Sequence, residues 1–295
     1  MLKTGTVWKQ LSSGWMVSSL TVILSIPFLI GVALLIKSTP LFSSQSLWQL
    51  IGTSEWAPSE GRFGFLPFIF SSFYVTILSF LFAAPVCLLS AIYLTQFASP
   101  RLSTIMHPVI DILAGIPSVI YGVWGILIIV PFISQVAAPL FGTTSPGYSI
   151  LAGGIVLAVM CIPYMLNMLI ETFRTVPVGL REAALSLGAT GWESVKHVVI
   201  RKSISGIISS FGLGLAKAFG ETLAVMMVVG NMVRLDANPF QAGYPLPALI
   251  ANNYGEMLSI PRYDSALMFA AFLLLVIILI INLVFRYFIY KAQKV

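Results

Sequence analysis

Charged residues are scarce in this chain. Of its 295 residues, 9% are charged and 58% are hydrophobic, and the mean hydropathy is +0.97. Soluble domains carry roughly 25% charged residues. Because so few charges cannot cover a water-facing surface, the composition excludes an ordinary soluble protein and predicts an all-α integral membrane protein.

Motifs for nucleotide binding, catalysis and metal binding are also missing. The sequence contains no G-x-x-x-x-G-K-[ST] loop, and neither H-E-x-x-H nor G-x-S-x-G occurs. Cys87 and Cys161 lie far apart in apolar segments and form no metal-binding pattern. His107 and His197 are isolated, which favours interfacial positions over ligand roles. We therefore predict no catalytic residue, no metal site and no cofactor in this chain.

Long apolar runs are abundant instead. A spanning helix needs about 20 apolar residues. Six segments meet this requirement, and they are 15–36, 65–96, 105–130, 148–171, 203–230 and 265–290. No A-x-A-like site follows the first run, which predicts an uncleaved span. We divide the chain into 1–64, the first helix with an outer loop, and 65–295, a transmembrane core of five helices.

The basic residues predict the orientation. With the N-terminus in the cytoplasm, the Lys and Arg residues outside the membrane divide 11 inside to four outside, in agreement with the positive-inside rule. The inner residues are Lys3, Lys9, Arg101, Arg174, Arg181, Lys196, Arg201, Lys202, Arg286, Lys291 and Lys294, and the outer ones are Lys37, Arg62, Arg234 and Arg262. Both termini are therefore predicted to be cytoplasmic. Topology explains the net charge of +6, so nucleic acid is not predicted as a partner.

Three outer loops are predicted, at 37–64, 131–147 and 231–264. In the third, five apolar residues favour a short helix lying on the outer surface; they are Ala248, Leu249, Ile250, Met257 and Leu258. Two interpretations stay open for this loop: a cap over the helix ends, or a docking surface for an outer partner.

The inner loop 177–202 contains the polar stretch "LREAALSLGATGWESVKHVVI". Pro177 suits the first turn of a helix, residues 181–187 are good helix formers, and Gly188 is a natural stop. A second helix over 192–200 would lead into span five. The pattern predicts a helix–turn–helix that either packs on the bundle or enters a groove on a cytoplasmic partner.

This loop resembles the EAA loop of ABC importer permeases, whose pattern is E-A-A, three residues, G, nine residues, then I-x-L-P. Glu182, Ala183, Ala184 and Gly188 match it, and Arg201 replaces the final Pro. The resemblance implies that the matching residues seat in a groove of a separate ATPase subunit, where Glu182 would face a basic group.

Span five has a small-residue stripe at i+4 steps, which is typical of closely packed membrane helices. Its members are Gly206, Ser210, Gly214, Ala218 and Thr222.

The neighbouring stripe of span five ends in Lys217 and Glu221, one turn apart near mid-membrane. Lys217 lies about 22 Å along the helix from Lys202, at 1.5 Å per residue, too far to reach the inner surface. Intramembrane charges usually face a cavity or one another. The two residues are therefore either a self-neutralised ion pair or a pathway site, and Asp111, early in span three, is a candidate for the same network.

Hydrogen phosphate suits such a pair, because its oxygens accept from an ammonium and its P–OH donates to a carboxylate. "KAFGETLAVMMVVGN" is similar to the G-R-A-x-G-E-T-x-A-V segment of phosphate-specific ABC permeases of the PstC type, and spans two and three also resemble that family. Lys217 occupies the position where the family usually has Arg. The positive charge is kept, but the planar guanidinium that can bind two phosphate oxygens at once is lost.

The resemblance implies a type I (MetI-like) permease fold with six transmembrane helices, and a translocation path through Lys217, Glu221 and Thr222. Asp111 is included as a candidate for the same path because of its position early in span three. It also implies the bacterial cytoplasmic (inner) membrane and an importer of phosphate. The implied partners are a second homologous permease, two ATP-binding subunits and an extracytoplasmic phosphate-binding protein. Two alternatives stay open: a permease for another oxyanion (molybdate, sulfate or phosphonate), and a membrane enzyme with an intramembrane Lys/Glu site.

Overall fold

A computed structural model describes residues 4–256 and 260–293 of the chain, with side chains from residue 14 onward. In this part of the chain, six helices are long and apolar enough to cross a membrane. They are Gly14–Phe42, Leu66–Phe97, Ser118–Leu140, Ile150–Arg174, Gly191–Phe219 and Tyr263–Ala292. The predicted all-α class with six spans is therefore confirmed.

Short helices connect these spans. The helices in chain order are α1 (Thr4–Phe42), α2 (Leu47–Gly52), α3 (Leu66–Phe97), α4 (Pro100–Gly115), α5 (Ser118–Leu140), α6 (Ile150–Arg174), α7 (Val178–Ser186), α8 (Gly191–Phe219), α9 (Leu223–Val228), α10 (Leu246–Asn253) and α11 (Tyr263–Ala292). Four stretches inside them widen to π-helical turns, at Tyr93–Phe97, Gly125–Ile129, Ile133–Ala137 and Val195–Val199.

A small hairpin lies between α2 and α3. Strand β1 (Trp56–Ala57) pairs antiparallel with β2 (Arg62–Phe63), and Gly61 turns the chain with φ of 70°. Arg62 forms ion pairs with Glu55 and Glu60, and hydrogen bonding to Glu60 together with the charge of Glu55 raises its pKa. Trp56 packs edge-on against Phe63 within the hairpin and against Phe65 and Phe68 at the start of α3, which fixes the hairpin to the bundle.

Span three begins later than predicted. A helix over 105–130 is wrong, because the chain leaves the helix at Ile116, whose ψ is 127°. Pro117 disfavours helical backbone at the residue before it. As a result the first part of the predicted span is the separate helix α4, in which Ile110 is buried and most other residues are exposed.

The same span also ends later than predicted, since α5 continues to Leu140 and shortens the expected loop 131–147. Pro131 and Pro139 each follow a π-helical turn, where the wider register accommodates a residue that has no N–H.

Span five is interrupted. The predicted continuous helix over 203–230 is wrong, because α8 ends at Phe219 and α9 starts at Leu223. The amides of Gly220 and Glu221 donate to carbonyls three residues back, each at 3.2 Å, which tightens the last turn before the break. Glycine is a weak helix former, so Gly220 favours this ending.

Helix α6 lies at the centre of the bundle. In its most apolar stretch 67% of residues are buried, against 6% for α1, which packs at the periphery on α11. The small-residue stripe of α8 packs against α6 as predicted. A Cβ added at Gly206 would lie 2.3 Å from Thr172 Cγ2, and one added at Gly214 would lie 2.4 Å from Met165 Cγ.

Helix α10 is buried, so the prediction of a helix lying on the outer surface is wrong. Leu246 and Leu249 have no exposed surface, and they pack among residues of α3 and α11. Ser72 Oγ of α3 accepts the Leu246 N–H at 2.8 Å, which satisfies an amide that would otherwise be unpaired. These contacts favour the interpretation that loop 231–264 caps the helix ends over the interpretation that it is a docking surface for an outer partner. Two residues of the predicted helix, Met257 and Leu258, lie outside the described residues.

Candidate functional site

The break between α8 and α9 contains the intramembrane charges. Lys217 is in the last turn of α8, where its positive charge complements the unpaired helix carbonyls. Its Nζ lies 4.2 Å from the ring centroid of Tyr164, a cation–π contact. Tyr164 is near the middle of Ile150–Arg174, so Lys217 is level with the middle of the central helix.

Glu221 lies in the break itself and is half-buried. Within the described residues, the ion pairs join Arg62 to its two carboxylates and Arg174 to Glu171, and no basic nitrogen lies within 4.0 Å of the Glu221 carboxylate. The regular helix ends between the two residues, at Phe219, and the Lys217 ammonium contacts the Tyr164 ring instead. The self-neutralised ion pair is therefore not formed.

Thr222 occupies the same break. Its hydroxyl donates to the Gly220 carbonyl at 3.4 Å, and the side chain is half-buried. An ammonium, a carboxylate and a hydroxyl thus lie within six residues on one irregular segment, with Lys217 at the exposed surface of the chain.

Asp111 reaches the central helix through a residue that the sequence reasoning missed. Its Oδ1 accepts from Asn167 Nδ2 at 2.9 Å, and Asn167 is one turn from Tyr164 on α6. Asp111 and Lys217 therefore contact residues on adjacent turns of α6, and the structure gives no direct contact between the two. The signal was present in the sequence, since Tyr164 and Asn167 are polar residues at i+3 spacing in an apolar span.

Further polar contacts join α4 to α6 near the C-terminal end of α6. Arg174 contacts the His107 ring of α4 and lies 3.5 Å from Glu171. Together with Asn167 and Asp111, these residues join α4 to α6 along one polar edge. His107 is thus paired with a cation-bearing side chain, and no group of three or more potential metal-ligating residues occurs in the described parts of the chain.

The loop after α6 folds as the predicted helix–turn–helix. Helix α7 ends in a Schellman motif, in which the Ala189 N–H donates to the Ala184 carbonyl at 3.1 Å and the Gly188 N–H to Leu185 at 3.0 Å. Gly188 has φ of +89°, which favours glycine. The next helix starts with a capping box between Thr190 and Glu193.

Helix α7 has no buried residue. Glu182, Ala183 and Gly188 are exposed, and Ala184 is half-buried. On the opposite side, Arg181 Nη2 donates to the Gln96 carbonyl at the end of α3, at 3.1 Å. Helix α7 is therefore fixed to the bundle through Arg181, while the motif residues Glu182, Ala183 and Gly188 remain exposed.

Comparison with known proteins gives a consistent result. Residues 87–293 match the family described as binding-protein-dependent transport system inner membrane component. The chain is 38% identical over 241 residues to a probable ABC transporter permease, YqgH of Bacillus subtilis, covering 81% of this chain and 76% of the relative. It is 35% identical to the phosphate transport system permease protein PstC of Xylella fastidiosa (strain Temecula1), covering 86% of this chain and 84% of the relative.

A solved structure supports the fold. The MetNI methionine ABC transporter, in inward-facing conformations, has a chain that aligns with a TM-score of 0.58 and 20% identity, covering 75% of this chain and 93% of that chain. This confirms the MetI-like architecture. With six spans and these relatives, the protein is a multi-pass component of the inner membrane, and the chain belongs to the family of binding-protein-dependent transport system inner membrane components, the ABC transporter permeases.

Proposed function

We propose that this chain forms the translocation path for inorganic phosphate in an ATP-driven importer. The observation that carries the proposal is the break between α8 and α9, which exposes Lys217 and leaves Glu221 without a basic partner in the described residues. Charged groups inside a membrane are costly, and they usually face a cavity or pair with one another. Relatives that are 31–35% identical over most of the chain are named phosphate transport system permeases, which supports phosphate as the cargo.

The chemistry of the break fits hydrogen phosphate. The Lys217 ammonium can donate to phosphate oxygens, and the Glu221 carboxylate can accept the P–OH proton. The Thr222 hydroxyl can exchange its 3.4 Å bond to Gly220 for a ligand oxygen. Sulfate has no proton to donate at neutral pH, so the carboxylate would repel it. The ring of Tyr164 competes for the ammonium and keeps phosphate binding weak, as a transport path requires.

Coupling to ATP is proposed for the loop 177–202. Its exposed residues Glu182, Ala183 and Gly188, with Ala184 beside them, would seat in a groove of a separate ATP-binding subunit, and this chain would itself be non-catalytic. The loop and both termini would then be cytoplasmic, in agreement with the distribution of basic residues. The full assembly would contain a second homologous permease, two ATP-binding subunits and an extracytoplasmic phosphate-binding protein.

The path is tested by radioactive phosphate uptake in membrane vesicles that contain all subunits. Lys217→Ala with Glu221→Ala should abolish uptake while the protein level stays normal. Lys37→Ala, which removes a charge at the end of α1, is the matched control and should transport normally. Uptake that survives the double substitution would refute the path, and competition by molybdate or sulfate at equal concentration would favour another oxyanion.

Coupling is tested separately by co-purification of the ATP-binding subunit. Glu182→Lys with Gly188→Leu should abolish co-purification, whereas Ser186→Ala on the same exposed helix should not. Normal docking of the double variant would contradict the coupling role without affecting the proposed path.

A further inference from the structure

A polar cavity lies at the end of the bundle where α8 begins and α11 ends. Its volume is about 550 Å³, and it is separate from the break that contains Lys217. The polar lining comes from His197, Arg201, Lys202, Ser205 and Gln293, with Val198 and Ile204 among the apolar residues at its wall.

The cavity carries positive charge with no carboxylate in its lining. Arg201 and Lys202 are exposed, and neither forms an ion pair among the described residues. No acidic residue occurs between positions 194 and 220, or between 265 and 293. The nearest acid in sequence is Glu193, one turn before His197, and its carboxylate is already bonded to Thr190 in the capping box. The lining of the cavity is therefore cationic.

A π-helical turn shapes this site. The turn at Val195–Val199 precedes the regular part of α8, and such turns change which residues share a helix face. His197, Arg201 and Ser205 follow one another at four-residue spacing, and all three line the same cavity. Gln293, directly after the last residue of α11, also lines the cavity. Five potential donors thus converge from two helices.

The position of the cavity identifies the source of the anion. It lies near the ends of two helices that are long and apolar enough to span a membrane, so a bilayer around these helices would bring its headgroups close to the cavity. Tyr287 and Phe288, near the same end of α11, are 64% and 49% exposed, as in the aromatic belts of membrane interfaces. Ile204 is 44% exposed, one turn farther along α8, and offers an apolar surface for an acyl chain.

We propose that this cavity binds the phosphodiester headgroup of an anionic phospholipid. Arg201 presents a planar fork that suits two phosphate oxygens, and Lys202 adds a second positive charge. Ser205 and Gln293 supply neutral donors for the remaining headgroup oxygens. Free inorganic phosphate has the same recognition chemistry but has no acyl chain to cover Ile204. The proposal does not rest on the transported cargo or on the orientation of the chain.

The test uses the full-length chain, purified in mild detergent with the subunits that accompany it. Native mass spectrometry measures the binding of added phosphatidylglycerol, with phosphatidylcholine as the zwitterionic reference. Each basic residue near a membrane surface strengthens binding to anionic lipid about fivefold, so Arg201→Gln with Lys202→Gln should weaken phosphatidylglycerol binding about 30-fold. The matched control is Lys37→Gln with Arg234→Gln, which removes two charges near the other end of the bundle and should change nothing.

Three outcomes would overturn the proposal. One is phosphatidylglycerol binding that is equal in the Arg201/Lys202 variant and the unaltered protein. A second is displacement of phosphatidylglycerol by millimolar inorganic phosphate, which would identify a site for the free ion. Arg201→Lys with Lys202→Arg keeps both charges and should retain most of the binding. Because this swapped variant changes the same two positions but keeps both charges, it shows whether lost binding in the glutamine variant comes from the lost charges or from misfolding. Loss of binding in a folded swapped variant would also contradict the charge argument.

Discussion

Gly206 allows α6 and α8 to approach each other closely. We expect that replacing it with alanine lowers the free energy of unfolding by a measurable amount. A Cβ at this position would lie 2.3 Å from Thr172 Cγ2, 3.0 Å from its Oγ1 and 3.2 Å from its Cβ. Carbon atoms in contact are normally 3.5–4.0 Å apart, so the helices would have to separate by about 1.2 Å or more. Threonine is β-branched and cannot swing aside easily. Overpacking of this kind costs about 1–3 kcal/mol, so Gly206→Ala should destabilise the folded protein by that amount.

The measurement is thermal unfolding in detergent, followed by intrinsic fluorescence, with the free energy obtained from reversible denaturation. Thr172→Ser removes the Cγ2 methyl but keeps the hydroxyl, which donates to the Met168 carbonyl at 2.8 Å. The Gly206→Ala/Thr172→Ser variant should therefore recover part of the loss. Gly14→Ala is the control, because no atom lies within 4 Å of a Cβ added there. A stable Gly206→Ala protein, or a double variant no better than the single one, would refute the packing argument.

Three further predictions concern the break and the loop. Gly188→Ala should destabilise the end of α7 by about 1 kcal/mol, because only the positive φ opposes a Cβ there, and faster amide exchange at 184–189 would show it. Arg181→Met removes the 3.1 Å bond to Gln96 and should raise amide exchange throughout α7, and unchanged exchange would contradict this anchor. Tyr164→Leu should change phosphate uptake several-fold by releasing Lys217, whereas Tyr164→Phe keeps the ring and should resemble the unaltered protein.

Much of the fold was predictable, because the bilayer imposes simple rules on a spanning helix. Apolar length alone predicted the number of spans, six. The stripe containing Gly206 and Gly214 indicated a closely packed face, and both glycines do contact α6. Gly188 ended its helix as expected, since the positive φ of a Schellman motif strongly favours glycine. In these cases the physical cause is local, and a few neighbouring residues are sufficient to determine the result.

Span boundaries were less predictable, because hydropathy averages over residues that belong to different helices. The apolar run over 105–130 hid the end of α4 at Gly115, although Pro117 was a usable signal. The uncharged segment after Pro131 was predicted as a loop, and the structure keeps it helical to Leu140. Proline interrupts a helix only where its missing N–H cannot be accommodated, and the π-helical turns before Pro131 and Pro139 remove that conflict.

The candidate site was predicted in its residues but not in its geometry. Helical spacing alone would place Lys217 and Glu221 one turn apart as a possible ion pair, but the helix is interrupted at residues 220–222 and no such pair forms among the described residues. Their separation matters for function, because an ion pair would satisfy both charges internally and leave none for a ligand. Asp111 is joined to α6 by Asn167, a residue 56 positions away in the chain. Such a contact depends on how α4 folds back against α6. Local sequence patterns could therefore indicate each of the two residues as a candidate, but not that they are in contact.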